Sequence, residues 1–85
     1  MDLGLTGKNA LVMGSTKGMG FGIARRLAAE GANVAVCGRK PEGAAESIGA
    51  SAKGYALDLS DPGSVAALIA NVEADMGDVD IVVCN

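Results

Sequence analysis

Four short runs, "NALVM" at 9–13, "NVAVC" at 33–37, "KGYALDL" at 53–59 and "DIVVC" at 80–84, are separated by stretches of helical period, and this alternation constrains the chain most. Each run is too short for a stable helix, and the near-continuous apolar ones read as buried strands. Between the first two, Ile23, Ala24, Leu27 and Ala28 share one face of a helix over Met19 to Glu30, with Arg25, Arg26 and Glu30 facing away. Gly31 stands where a left-handed cap would end it. "PEGAAESIGA" predicts a shorter second helix with Pro41 at its first position and Glu42 favouring the same end. Ser60 or Asp61 caps a third, with Pro62 in its first turn and Gly77 at its end. Val65, Leu68, Ile69, Val72 and Met76 form its apolar stripe.

The order is βαβαβαβ with short connections. It predicts an α/β protein with a doubly wound parallel sheet of Rossmann type, incomplete after its fourth strand. Strands two and four should flank strand one. Cys37 and Cys84 would then lie about 9–10 Å apart, two strand spacings, too far for a disulfide. Both read as small buried apolar residues. The fourth strand, apolar throughout, reads as buried on both faces, yet its far edge would be unpaired. That exposed edge predicts self-association of the isolated 85-residue chain.

Composition narrows the classes further. The chain is 49% hydrophobic with one Phe, one Tyr and no Trp, so its core is built of Ala, Val, Leu, Ile and Met. A 20% charged fraction beside that apolar content excludes a disordered chain. A net charge of −3 argues against a nucleic-acid surface. No stretch reaches the ~20 apolar residues of a membrane span. Nor does a basic segment followed by an apolar one open the chain, so a cytoplasmic protein is expected. The absence of histidine excludes His acid–base chemistry and His metal ligands, and no metal site is expected.

The first strand runs directly into "GSTKGMG". A strand-to-helix junction in a doubly wound fold is where nucleotide phosphates rest against unpaired helix N–H groups, and a Cβ there would hold them away. Gly14 would make the tight turn, Gly18 would allow close approach, and Gly20 or Gly22 would let the helix lie against the sheet. The Walker spacing fails because Lys17 precedes Gly18. G-x-G-x-x-G fails because the last position falls on Ile23 or Arg25.

What fits is Gly14-x-x-x-Gly18-x-Gly20. With the surrounding "LTGKNALVMGSTKGMGFGIARRLAAEGANVAVCGR", it resembles the amino-terminal region of the short-chain dehydrogenase/reductase family, whose pattern is Thr-Gly-x-x-x-Gly-Ile-Gly. Met13 stands for the usual Thr, removing a hydroxyl that helps order the turn, and Met19 stands for the Ile. The resemblance implies a phosphate loop of Gly14, Ser15, Lys17, Gly18, Met19 and Gly20. It also implies an adenine contact from Asp58, with Leu59 lining the base. Asp58 could instead cap the turn that follows.

After the second strand, where an NAD-binding fold would carry an acid, the chain has Gly38, Arg39 and Lys40. Arginine forms paired charge-assisted bonds with a 2′-phosphate that a carboxylate would repel, and Lys17 could add charge. NADP(H) is therefore expected over NAD(H). The family's Asn-Asn-Ala-Gly is met only by Cys84-Asn85, with Asn85 matching the second Asn beside the cofactor.

The family's catalytic Ser and Tyr-x-x-x-Lys are not in these residues. Tyr55 is followed four positions later by Leu59, and it reads as a packed residue with its hydroxyl at the surface. The resemblance thus makes residues 1–85 the amino-terminal, cofactor-binding part of a single dinucleotide-binding domain. The whole would be an NADP(H)-dependent oxidoreductase acting on a small carbonyl or alcohol. Its substrate pocket would lie outside this chain, and homo-oligomers would form through later helices. The alternatives are a non-catalytic dinucleotide-binding module or redox sensor, and a flavodoxin-like or NTPase domain. The Walker spacing and Arg39 disfavour the last.

Overall fold

The computed structural model describes residues 4–14, 18–58 and 60–84. Strands β1 (Asn9–Met13), β2 (Asn33–Gly38), β3 (Ala52–Ala56) and β4 (Ile81–Cys84) alternate with helices α1 (Gly18–Ala29), α2 (Glu42–Ile48) and α3 (Pro62–Met76). The sheet is parallel in the order β3-β2-β1-β4, so β2 and β4 flank β1 as the crossover rule demands.

The register sets two faces. Leu11, Ala35, Cys37, Tyr55 and Leu57 meet Leu68 and Val72 of α3 on one side. Val12, Val34 and Val36 meet Ala24 of α1 and Ala44 of α2 on the other. Val34 to Cys37 of β2 are fully buried, as expected for a central parallel strand.

Local chemistry fixes the ends of the elements. Ala32 N–H donates to Leu27 O at 3.1 Å and Gly31 N–H to Ala28 O at 3.0 Å, closing α1 with Gly31 at φ 95°. A Cβ on Gly31 would also sit 2.9 Å from Thr6 Oγ1, so glycine is required there twice over. Asp61, not Ser60, caps α3, accepting from Gly63 N–H at 3.0 Å. Gly77 closes that helix at φ 91°.

Four expectations are corrected. Pro41 is not the first helical residue of α2 but its N-cap, because its carbonyl takes the first helical bond from Ala45 N–H. The third strand stops at Ala56: Leu57 N–H still donates to Gly38 O at 2.9 Å, but Asp58 then turns the chain. β4 is not buried on both faces. Ile81 and Val83 are half-buried, whereas Val82 and Cys84 are exposed, because among the described residues no helix covers that side of β4. Cys84 is accordingly exposed, while Cys37 is buried with its thiol donating to Ala35 O at 3.8 Å, and neither is in a disulfide. Burial pushes the Cys37 thiol up to about 12. Among the described residues, no helix is long and apolar enough to cross a membrane.

Candidate functional site

The carboxyl ends of β1, β2 and β3 open on one side of the sheet. Gly14, at the end of β1, has φ 68°, and Gly18, the first residue of α1, has φ 66°. Both lie in the left-handed region that side chains rarely tolerate, so the turn itself requires these two glycines. Of the two candidates for helix–sheet packing, Gly20 is the buried one. A Cβ on Gly22 would meet only open space. Met19 is 76% exposed beside the turn, so its side chain adds nothing to the core. Ser15 and Lys17 lie outside the described residues, as do Leu59 and Asn85.

Gly14, Gly38, Arg39, Leu57 and Ser60 line a cleft of about 210 Å³ at this end. It joins the ends of β1 and β2 to the segment after β3. Gly38 ends β2 and lines the cleft. Leu57 is buried and supplies an apolar surface. Arg39 supplies a cation, and Lys40 is exposed beside it.

Asp58 is exposed at the same end. Its Oδ1 accepts from Ser60 N–H at 2.9 Å and from the Ser60 hydroxyl at 2.6 Å. These bonds, led by the hydroxyl, hold its carboxyl below the usual carboxylate range. Slight desolvation opposes them, and the nearby Arg39 charge adds to them. The turn-capping alternative for Asp58 is thus realised on one oxygen, Oδ1.

A larger cleft, about 380 Å³, lies at the opposite, amino ends of the strands against Asn9, Asn33, Lys53 and Asp75. Its polar groups are engaged with one another. Asn9 Nδ2 donates to Met76 O at 2.9 Å and Asp78 O at 3.0 Å, and Asn33 Nδ2 donates to Asn9 Oδ1 at 3.2 Å. Lys53 Nζ pairs with Asp75 Oδ2 at 3.1 Å. This network ties the end of α3 to the sheet, a structural task. Among the described residues, no group of three or more His, Cys, Asp or Glu could hold a metal ion.

Sequence reasoning therefore placed Gly14, Gly18, Gly20, Arg39, Lys40 and Asp58 at one end of the sheet. It missed Leu57 as the apolar surface and Ser60 as the partner of Asp58. The signal for Ser60 was present in "DLS": a Ser two residues after an Asp at a strand end favours an Asx turn.

An open parallel sheet, helices on both faces and a glycine turn after the first strand define the doubly wound class, whose ligands sit beyond the carboxyl ends of the strands. The family model for short chain dehydrogenases matches residues 8–85, and the chain belongs to that family. It is 40% identical over 82 residues to the 3-oxoacyl-(acyl-carrier-protein) reductase of Salmonella typhimurium, covering 93% of this chain and 34% of the relative. It is 38% identical over 87 residues to a sorbose reductase of Candida albicans, covering 95% of this chain and 31% of the relative.

Among solved structures, the 3-ketoacyl-(acyl-carrier-protein) reductase of Brucella melitensis, complexed with NADH, superposes with a TM-score of 0.86 at 37% identity. That match covers 92% of this chain and 33% of the other. The chain thus spans about a third of the length of the relatives it matches.

Proposed function

We propose that this chain is the amino-terminal, cofactor-binding part of an NADP(H)-dependent short-chain oxidoreductase of the cytoplasm. When bound, NADP(H) would give a hydride to a carbonyl substrate or take one from an alcohol. The positive-φ glycines at 14 and 18 fit a pyrophosphate, because neither carries a Cβ to hold the phosphates away from the backbone. With them, Ser15, Lys17, Met19 and Gly20 form the phosphate loop. In this reading Asp58 and Leu59 would take the adenine end, and Asn85 would match the family's second Asn beside the cofactor.

The observation that carries the coenzyme choice is the cleft wall. β2 ends in Gly38, and Arg39 lines the cleft where an NAD-selective fold would present a carboxylate. Arg39 and Lys40 offer the 2′-phosphate charge-assisted bonds. The relatives bear on the reaction through their names, a ketoacyl reductase and a sorbose reductase, both of which act on a carbonyl carbon. The Brucella protein was solved with NADH, so the two coenzymes must be compared directly. Calorimetric titration of the intact protein should show tighter NADPH than NADH binding. Arg39→Ala should weaken NADPH by ~1.5–3 kcal/mol, the scale of a hydrogen bond to a charged group, and leave NADH nearly unchanged. Unchanged NADPH affinity in that variant would refute the assignment.

A further inference from the structure

We propose that Met13 and Cys84 form a two-sulfur site for a soft monovalent cation, Cu(I). The inference stands apart from the dinucleotide reading above. It begins from the register: β1 and β4 are parallel neighbours in which Met13 pairs with Cys84, as Leu11 pairs with Val82. Side chains alternate between the faces of a sheet, and residues paired across a parallel ladder share one. Met13 packs against the cluster of Leu11 and Cys37 on the α3 side. Val83 packs with the cluster on the other side, so Cys84, next in the strand, turns toward the face of Met13.

Cys37 stands on that same face, on the strand flanking β1 opposite β4. Three sulfurs thus occupy three adjacent strands. Only the pair of Met13 and Cys84 is open, because Cys37 is fully buried while Met13 is half-buried and Cys84 exposed. Neighbouring strands lie ~4.8 Å apart. Two metal–sulfur bonds of ~2.3 Å set end to end span nearly the same distance. An ion between these two sulfurs therefore needs no shift of the backbone.

The donors choose the ion. Thiolate and thioether are soft ligands that select Cu(I), whereas zinc is held by three or four protein ligands that this pair does not supply. As the copper–sulfur bond to Cys84 forms, the thiol proton leaves to solvent, and Met13 adds a neutral thioether. The unit then carries no net charge, which suits a face shared with Leu11 and Val82. These are also two positions at which the chain departs from the family's pattern. A hydroxyl and an amide, both hard, have become a thioether and a thiol.

The test is titration of the reduced intact protein with Cu(I) against a chromophoric Cu(I) chelator. Met13→Thr and Cys84→Asn are the variants, because the family's fold carries those residues. The unaltered protein should bind one more Cu(I) than Cys84→Asn. Met13→Thr should weaken that ion by at least the ~10–100-fold that follows loss of an outer-shell partner. In the Cys84→Asn protein, adding Met13→Thr should change nothing further, since both residues serve one ion. Equal copper binding by the unaltered protein and Cys84→Asn, or undiminished affinity in Met13→Thr, overturns the site. A second measurement needs no variant: Cu(I), and not Zn(II), should protect Cys84 of the unaltered protein from alkylation by iodoacetamide, read by peptide mass. Alkylation at the same rate with and without Cu(I) overturns the proposal as well.

Discussion

Tyr55 is 8% exposed in β3 with its hydroxyl 2.8 Å from Asp75 Oδ2, the oxygen that Lys53 also reaches. Burial first, then the Asp75 bond and charge, raises the Tyr55 pKa. The Tyr55 hydroxyl, then Lys53, lowers that of Asp75. For Asp75, a folded pKa below the unfolded value of 3.8 means stabilisation that is present above that pH and lost as pH falls through it. For Tyr55, a folded pKa above 10 means stabilisation that is full below pH 10 and lost on going higher. Tyr55→Phe should therefore be less stable than the unaltered protein at pH 7, with the gap narrowing at pH 3. Urea unfolding at the two pH values measures it, and a gap independent of pH would contradict the pairing. The sequence showed Tyr55 as a packed residue with a reachable hydroxyl. It could not show Asp75 as the partner, because the two lie twenty positions apart, one on a strand and the other near the end of α3.

α3 stands on its cap and on one face. Asp61 holds extended backbone at φ −105° and ψ 110° and satisfies the Gly63 N–H, while Leu68 and Val72 supply the buried side chains. Asp61→Ala should cost about 0.5–2 kcal/mol, the usual loss for a helix N-cap, read as a lowered urea midpoint at unchanged slope. Ser60→Ala should cost less, since Ser60 does not cap the helix. The existence and order of the elements were legible because each short apolar run is bounded by Gly, Pro, Asp or Asn, and each helix carries a period that strands lack. Boundaries were less so. β3 ends where Asp58 bonds to Ser60 instead of continuing the ladder, a competition between side chain and backbone that apolar pattern does not encode. Ile69 fits the helical stripe, yet is 38% exposed, since α3 has sheet beneath only part of its apolar arc. In the site, glycines that need positive φ were legible because few other residues can replace them. The Ser60 bond was not, because serine serves many turns.

Across the whole molecule the two faces of the sheet are covered unequally. α1 and α2 lie over the face that includes Val83, which packs against their cluster. On the other face α3 sits over β1 to β3 through Leu11, Cys37, Tyr55 and Leu57. Val82, paired in register with Leu11, continues that face into β4 and is 55% exposed. β4 is also a sheet edge, so apolar side chains and unpaired backbone groups coincide there. Such an edge recruits other strands, and a polypeptide of these 85 residues should self-associate through it. Sedimentation velocity should show species above the 8.4 kDa monomer whose share grows with concentration. Val82→Lys places a charge on that edge without removing a buried group, so it should shift the distribution toward monomer and leave the urea midpoint nearly unchanged. A substitution at buried Leu68 would do the reverse, with Leu68→Ala costing about 2–5 kcal/mol through the cavity it leaves. The pair separates edge from core: if Val82→Lys leaves association unchanged, the exposed β4 face is not what holds the copies together.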